Sequence, residues 1–338
     1  MATVAIRIGT RQLNPQAHTR PIYETRADGG MGAASFTLHI GMGMAPIGVR
    51  RDALVQISID SQWVWSGRIN DIDPGSWGIV CRPLQDDFTT TPALTAGGAL
   101  TRDVEVAIDT ARSAPFSVPI GNARGLDGVV YGDDTEPVMV AHLLNLLAEQ
   151  ESARWGIDAD RQLWLRDDPT TPKWMIHAPD LVLVESGGLP YNGYAGRYVD
   201  IGTSLYATAY STPAAGMAPK YANVDLTKRG AMTGLDATAV LNHLASMTRD
   251  RPTWGSELVV GQADIRTMGD QPAALCSVKG GDMARLVGLS TTQQVVAGGD
   301  YLDVVLGSVV HDTGTKTLTL APVGTVPLTV EDALKAIA

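Results

Sequence analysis

Alternation of apolar and polar positions dominates the chain, and it is densest between Leu54 and Leu84. There Val55, Ile57 and Ile59 alternate with Gln56, Ser58 and Asp60, the period of a half-buried strand. Asp60-Ser61-Gln62 predicts a short turn. Trp63, Trp65, Gly67 and Ile69 then fall on one face of a second strand, with Val64, Ser66, Arg68 and Asn70 on the other. Asp73-Pro74-Gly75-Ser76 predicts another turn, Pro setting φ and Gly taking the left-handed step. Trp77 to Cys81 returns as a third strand. This meander carries no metal cluster or phosphate loop and reads as scaffold.

The same alternation extends over residues 1–94, where Val4, Ile6 and Ile8, and later Phe36, Leu38 and Ile40, mark further strands. Between them Asp28-Gly29-Gly30 and Gly32 make a corner, and Gly41 to Arg51 reads as a Gly/Met-rich loop. Five or six strands without a helix predict a small barrel or sandwich. Phe88 to Thr101 shows little periodicity and reads as a linker or long loop.

Residues 95–196 are mixed. Val104, Val106 and Ile108 alternate as a strand, and Gly121 to Gly132 is irregular. A helix follows, capped by Thr135 or Glu136 and with Pro137 in its first turn; Val140, Leu143, Leu144 and Leu147 form its apolar stripe. Ala153 to Ile157 and Gln162 to Arg166 form a hairpin, and Leu181 to Val184 one more short strand.

Residues 197–322 are strand-rich with one helix. Thr233 and Asp236 form a capping box ahead of a stripe at Ala237, Val240, Leu241, Leu244 and Ala245. Arg251-Pro252 stops this helix. Strands are predicted at Tyr198 to Ile201, Leu205 to Tyr210, Glu257 to Val260, Met283 to Val287, Tyr301 to His311 and Thr315 to Leu320. Residues 323–338 are an extension that ends in a short amphipathic helix.

Composition narrows the function classes. Hydrophobic residues make up 44% and charged residues 18% of the 338, ordinary for a folded protein. Two cysteines exclude a disulfide scaffold, no apolar run reaches a membrane span, and the first residues do not read as a signal peptide. The expectation is a soluble chain made in a reducing cytoplasm. A net charge of −10 argues against wrapping nucleic acid, yet an acidic wall lets a polyanion slide past.

Candidate chemistry has simpler accounts. Cys81 and Cys276 lie on or beside strands, and neither spacing nor composition pairs them with His177 or His311, so buried structural thiols are the plainer reading. The six histidines show no metal spacing, and neither a metal site nor a cofactor is expected. Carboxylates at Asp71/Asp73, Asp133/Asp134/Glu136, Asp158/Asp160 and Asp167/Asp168 suit turns and caps better than a sugar-cleaving pair. Of seven Trp, Trp63 and Trp65 share a predicted face; core packing is the plainer role, with a subunit contact or sugar binding as the alternative.

Several segments in order resemble one known family. They are ADGGMGAASFTLHI (Ala27 to Ile40), VQISIDSQWVWSGRINDID (Val55 to Asp73), WGIVCRPL (Trp77 to Leu84) and AHLLNLLAEQESARWGIDADRQLWLRDDPTTPKW (Ala141 to Trp174). VDLTKRGAMT with the helix ending RDRPTW (Val224 to Trp254), and SVKGGDMARLVGL (Ser277 to Leu289), complete the series. This order resembles the minor tail proteins of siphophages, the hub proteins of the tail tip. The resemblance implies a mainly β fold: a first tube-type β-barrel at 1–94, a mixed α/β insert at 95–196, and a second barrel with one helix at 197–322. It further implies a virion structural protein at the distal tip of a long non-contractile tail. Three copies would form a ring that adapts the six-fold tube to the three-fold tip and lines the DNA exit channel. Expected partners are further copies as a homotrimer, the distal tail protein, the tape measure protein and other tail-tip proteins, with genomic DNA passing unbound. Trp63, Trp65, Arg68 and Ile69 are the expected subunit contacts. Some members carry a fused peptidase or lysozyme-like domain; none is expected here, and the chain is expected not to be an enzyme. A distal tail ring protein, a tail-tip module binding cell-wall glycan, and a cell-wall hydrolase using Cys276 with His311 or a carboxylate pair remain the alternatives.

Overall fold

The structure, a computed structural model, describes residues 3–39, 48–111, 137–151, 153–184, 193–213, 220–227, 230–248, 253–254 and 258–323. The expected caps at Thr135 and Glu136, the irregular stretch 121–132, the carboxylates 133–136, the stop at Arg251-Pro252 and the final helix lie outside these residues.

The N-terminal part supplies β1 (Val4–Ile8), β2 (Arg11–Gln12), β3 (Ile22–Arg26), β4 (Met31–Thr37), β5 (Leu54–Ile59), β6 (Gln62–Asp73) and β7 (Gly78–Pro83). Helices α1 (Gln85–Thr90), α2 (Val104–Ala111) and α3 (Val140–Gln150) precede a hairpin of β8 (Ala153–Ile157) and β9 (Leu163–Asp167). Next come β10 (Trp174–His177), β11 (Leu183–Val184), β12 (Gly193–Asp200), β13 (Tyr206–Tyr210), β14 (Tyr221–Asp225), β15 (Ala231–Met232) and α4 (Gly234–Thr248). The last described elements are β16 (Thr253–Trp254), β17 (Leu258–Gly261), β18 (Ile265–Thr267), β19 (Met283–Val287), α5 (Thr291–Ala297), β20 (Leu302–Asp312) and β21 (Thr317–Pro322).

The fold is mainly β, with few helices and one large curled sheet. That sheet has 13 strands, in the order β18-β10-β19-β20-β3-β4-β7-β6-β5-β1-β2, with β21 beside β20 and β17 beside β21. Its centre is the antiparallel pair β3–β20, where Ile22 to Arg26 run against Asp312 to Ser308. One continuous ladder therefore joins strands almost 290 residues apart in sequence.

Among the described residues there are four apolar cores, of which the first and third lie on this sheet. Ile6, Tyr23, Phe36, Val55, Ile57, Trp65, Ile69 and Ile79 form the first, on β1 to β7. Phe88, Ile108, Leu143, Leu144, Trp155 and Ile157 join the three early helices to the β8–β9 hairpin. Trp174, Ile176, Trp254, Leu286, Leu306, Val309 and Leu318 form a third under the late strands. The fourth packs Tyr194, Tyr198 and Val224 against Leu241 and Leu244 of α4. β10, which precedes residue 197, pairs with β18 and β19 and belongs to the third core.

Several local expectations change. Val104 to Ile108 is helical: Val106 is exposed, while Val104, Ala107, Ile108 and Ala111 are buried at helical spacing. Asp103 accepts the Val106 amide at 3.0 Å and caps that helix. The predicted linker starts inside α1, where Phe88 is buried. α3 starts after Met139, so Pro137 precedes it. In the second turn Trp77, at φ 56°, takes the left-handed step in place of Gly75. Asp60 and Ser61 are both left-handed, the two-residue turn whose twist matches a hairpin.

The two tryptophans of β6 do not share a face. Ile57 pairs with Trp65 but Ser58 pairs with Trp63, so Val64 is an extra residue in a β-bulge. The bulge reverses the alternation, and Trp63 turns to the side opposite Trp65.

Candidate functional site

Three of the segments quoted above, Ala27 to Gly32, Arg154 to Ile157 and Lys279 to Asp282, meet in space around residues 23–32. The corner Asp28-Gly29-Gly30 turns there with φ near 82° and 84° at its two glycines. The Gly29 amide donates to the Trp155 carbonyl at 2.9 Å, and the Ile157 amide donates to the Gly29 carbonyl at 3.0 Å. A Cβ at Gly156 would stand 2.5 Å from the Gly29 carbonyl carbon, and one at Gly30 would collide with the Ile157 carbonyl. Glycine is thus required on both sides of this contact. Arg154 closes it with a fork, bonding Asp28 at 2.7 Å and Asp168 at 2.5 Å.

The turn Lys279-Gly280-Gly281-Asp282 reaches the same place from the other half of the chain. The Gly280 amide donates to Thr25 Oγ1 at 2.9 Å, and a Cβ at Gly280 would stand 2.5 Å from Arg26 Cα. Gly281 is left-handed and donates to the Leu306 carbonyl at 2.7 Å. Asp282 accepts from the Lys279 amide at 3.0 Å and from the Trp174 indole at 2.7 Å. The Ala27 amide donates to the Gly307 carbonyl at 2.8 Å.

Side chains fill the joint. The Tyr23 ring stacks on His311 with centroids 4.4 Å apart and planes 8° from parallel. Burial, with the nearby Lys279 charge, pushes the His311 imidazole down to about 3, and burial raises the Tyr23 phenol. Burial alone would raise the Glu24 carboxyl, but bonds from Arg26 and Ser308, both at 2.8 Å, hold it below its ordinary value. Trp65 donates its indole N–H to the Gly32 carbonyl at 3.0 Å, and Gln85 donates to the Met31 carbonyl. The result is a fixed mechanical joint between the early and late strands.

The expected contact residues separate. Trp65 and Ile69 are wholly buried in the first core, which uses their surface within the chain. Trp63 is half-buried beneath the Arg7 guanidinium, 4.7 Å from the ring centre. Arg68 reaches Asp87 at 2.7 Å, and Asp87 also binds Arg82 at 2.6 Å. Trp155, Trp164, Trp174 and Trp254 are all buried.

Cys276 and His311 lack the surroundings of a catalytic thiol–imidazole pair. His311 is fully buried and neutral, and burial raises the Cys276 thiol, where a nucleophilic cysteine needs its thiolate favoured. Asp73 accepts from Gly75 at 2.9 Å, and Asp158 accepts from Gln162 at 2.8 Å, both as turn formers. Among the described residues no group of three or more His, Cys, Asp or Glu could hold a metal ion, and no helix is long and apolar enough to cross a membrane.

Exposed aromatic surface lies elsewhere, on the sheet β13–β12–β14. Tyr206, Tyr210 and Tyr221 are 65%, 54% and 37% exposed. Periodicity placed strands at Tyr198 to Ile201 and Leu205 to Tyr210 but missed β14 and the start of β12, and it did not show which side is exposed, because the packing of α4 on the opposite side decides which residues stay out.

Comparison with known protein families and with curated proteins finds no match. Solved structures do match. The 43 kDa tail protein of prophage MuSo2 from Shewanella oneidensis superimposes with a TM-score of 0.63 at 12% identity, covering 98% of this chain and 99% of that one. A tail protein from Neisseria meningitidis MC58 gives 0.59 at 13% identity, and a prophage tail protein from Listeria monocytogenes EGD-e gives 0.58 at 10%, each with the same coverage. Over nearly its whole length the chain has the fold of these prophage tail proteins.

Proposed function

We propose that this chain is a structural protein of a bacteriophage tail, one copy of a three-fold hub at the distal tip of a long non-contractile tail. The observation that carries the reading is the extent of the likeness: 98% of this chain aligns with 99% of a tail protein, so the whole architecture is shared. In this reading residues 1–94 and 197–322 supply two tube-type barrels, 95–196 is the insert except for β10, which pairs with the late strands, and 323–338 is the extension. Three copies then present six barrels to a six-fold tube.

The joint supports this role. A hub transmits load between a tube and a tip, and a continuous ladder through β3–β20 resists separation of its two halves. The acidic balance of −10 suits a channel that DNA must traverse without sticking. The tape measure and distal tail proteins would be neighbours along the axis. Trp63 and Arg68 carry the subunit-contact proposal forward, since both keep accessible surface. The chemistry is mechanical, so the reading is of a protein without enzymatic activity.

Light scattering of the purified chain at increasing concentration tests the stoichiometry. A trimer mass is expected, and Trp63→Ala is expected to lower trimer yield while leaving the melting temperature close to wild type. A strictly monomeric or hexameric species would overturn the three-fold assignment.

A further inference from the structure

The strand β13 lies at the rim of its sheet. Among the described residues it pairs with β12 alone. The Asp200 amide donates to the Leu205 carbonyl at 2.9 Å, and the Ser211 amide to the Tyr194 carbonyl at 2.9 Å. With the register between them, these bonds turn the main chain of Leu205, Ala207, Ala209 and Ser211 toward β12. Tyr206, Thr208 and Tyr210 therefore direct their amides and carbonyls away from the sheet. Among the described residues no bond is made to those groups.

This edge carries no guard. Folded proteins protect open edges with lysine, proline or a bulge. β13 reads Tyr206-Ala207-Thr208-Ala209-Tyr210, without a charge or a proline, and its register with β12 is unbroken. Tyr206 and Tyr210 are 65% and 54% exposed, and Thr208 is exposed between them. Ile201 and Leu205, also exposed, extend the apolar surface beyond the start of the strand.

Sequence order selects the occupant. The five residues read the same in both directions. A second β13 laid antiparallel about Thr208 sets Tyr206 opposite Tyr210 of the second copy, Ala207 opposite Ala209, and Thr208 opposite Thr208. Each outward-facing residue then meets another outward-facing one, the condition for a hydrogen-bonded pair. A shift of one residue sets open groups against groups already turned to β12, and a shift of two loses one of the pairs. Cross-strand aromatic and threonine pairs add to the ladder. Tyr210 already meets Tyr221 at 5.2 Å, and Arg197 stands 4.0 Å over Tyr206. The joined sheets thus carry one row of Tyr221 and Tyr210, then Tyr206 and Arg197 of the second copy. α4 packs on both β12 and β13. The two helices therefore come about 10 Å apart across the axis, which leaves room for both.

We propose that β13 is a pairing edge for a second copy of this chain, the two strands joined antiparallel about Thr208. The axis is two-fold, so the contact is separate from the three-fold ring proposed above and joins chains of different rings or chains outside a tail. The shared ladder is a strip of about 16 by 5 Å, far smaller than the roughly 800 Å² per partner of a stable interface. Association is weak, with a Kd of about 1 mM, and leaves the mass of dilute protein unchanged.

The test traps the pair by mild oxidation of the full chain carrying Cys276→Ser, at about 1 mM protein; Cys81 is buried. A hydrogen-bonded pair sets Cα atoms about 5.5 Å apart, within reach of a disulfide. Thr208→Cys is expected to give a covalent dimer on a denaturing gel. Tyr206→Cys and Tyr210→Cys, each alone, should give about tenfold less, since like positions then lie about 13 Å apart. Mixing those two variants should restore the cross-link. Adding Tyr206→Lys to Thr208→Cys should lower the dimer yield several-fold at unchanged melting temperature. No dimer from Thr208→Cys, or equal dimer from all three single cysteines, would overturn the proposal. The gel reads pairs of chains whatever the ring, so failure here leaves the three-fold reading standing, and a missing trimer leaves this one standing.

Discussion

At Gly156 the missing Cβ lets β8 lie against Gly29, and at Gly280 the missing Cβ lets a turn lie on Arg26. Both contacts join segments far apart in sequence, so a methyl group there acts on the joint as well as on its own strand. Gly156→Ala is expected to cost roughly 1–3 kcal/mol, the range for overpacking a tight contact, read as a lower urea midpoint at constant slope. Asp87 makes a similar point through charge. It is almost wholly buried between Arg68 and Arg82, so Asp87→Ala leaves two cations facing a buried gap and should cost about 3 kcal/mol or more. His311 adds a pH dependence. Its folded value near 3 lies below its unfolded value, so the unfolded chain takes up the proton first as pH falls. The neutral ring's contribution is fully present above about pH 6.5 and is lost downward from there, amounting to about 2 kcal/mol near pH 5. His311→Phe, which keeps a ring for Tyr23 to stack on, should flatten that decline between neutral and mildly acidic buffer. An unchanged slope of stability against pH would refute the assignment.

Elements were legible where one face alone is buried. The α4 stripe and its Thr233–Asp236 box stand as read, with Asp236 accepting the Thr233 amide at 3.1 Å. So do the helix stripe at Val140 to Leu147 and the β8–β9 hairpin. Reading failed where two periods fit the same residues. Val104, Val106 and Ile108 alternate like a strand, but Ala107 and Ala111 complete a helical stripe that apolar counting undervalues. Asp103→Ala should therefore destabilise α2 by about 1 kcal/mol, the cost of a lost cap, measured as a drop in melting temperature. Reading failed again at Val64, because a bulge is a property of a pair of strands and leaves no mark on one of them. Its consequence can be measured. Trp65→Ala should cost about 3–5 kcal/mol as a core truncation, and Trp63→Ala far less, although simple alternation treats the two as equivalent.

For the whole molecule, motif order carried more than periodicity did. Asp28-Gly29-Gly30, the Trp155 hairpin and Lys279-Gly280-Gly281-Asp282 were visible as separate segments of one resemblance. That they converge on Thr25 to Gly30 could not be read, since the Gly280–Thr25 bond spans 255 residues and no local pattern encodes it. The exposure of Tyr206, Tyr210 and Tyr221 was hidden for a like reason: it depends on α4 covering the other side of their sheet, a contact that strand periodicity does not encode. Convergence lets one chain act as a single stiff part, as the proposed hub role would require. Electron microscopy of tails containing this protein tests that central claim most directly, by the symmetry of its density about the tail axis. The account predicts three copies closing a ring on the axis, each contributing two barrels to a six-barrel wall. Six copies in the ring, or density standing off the axis, would contradict it.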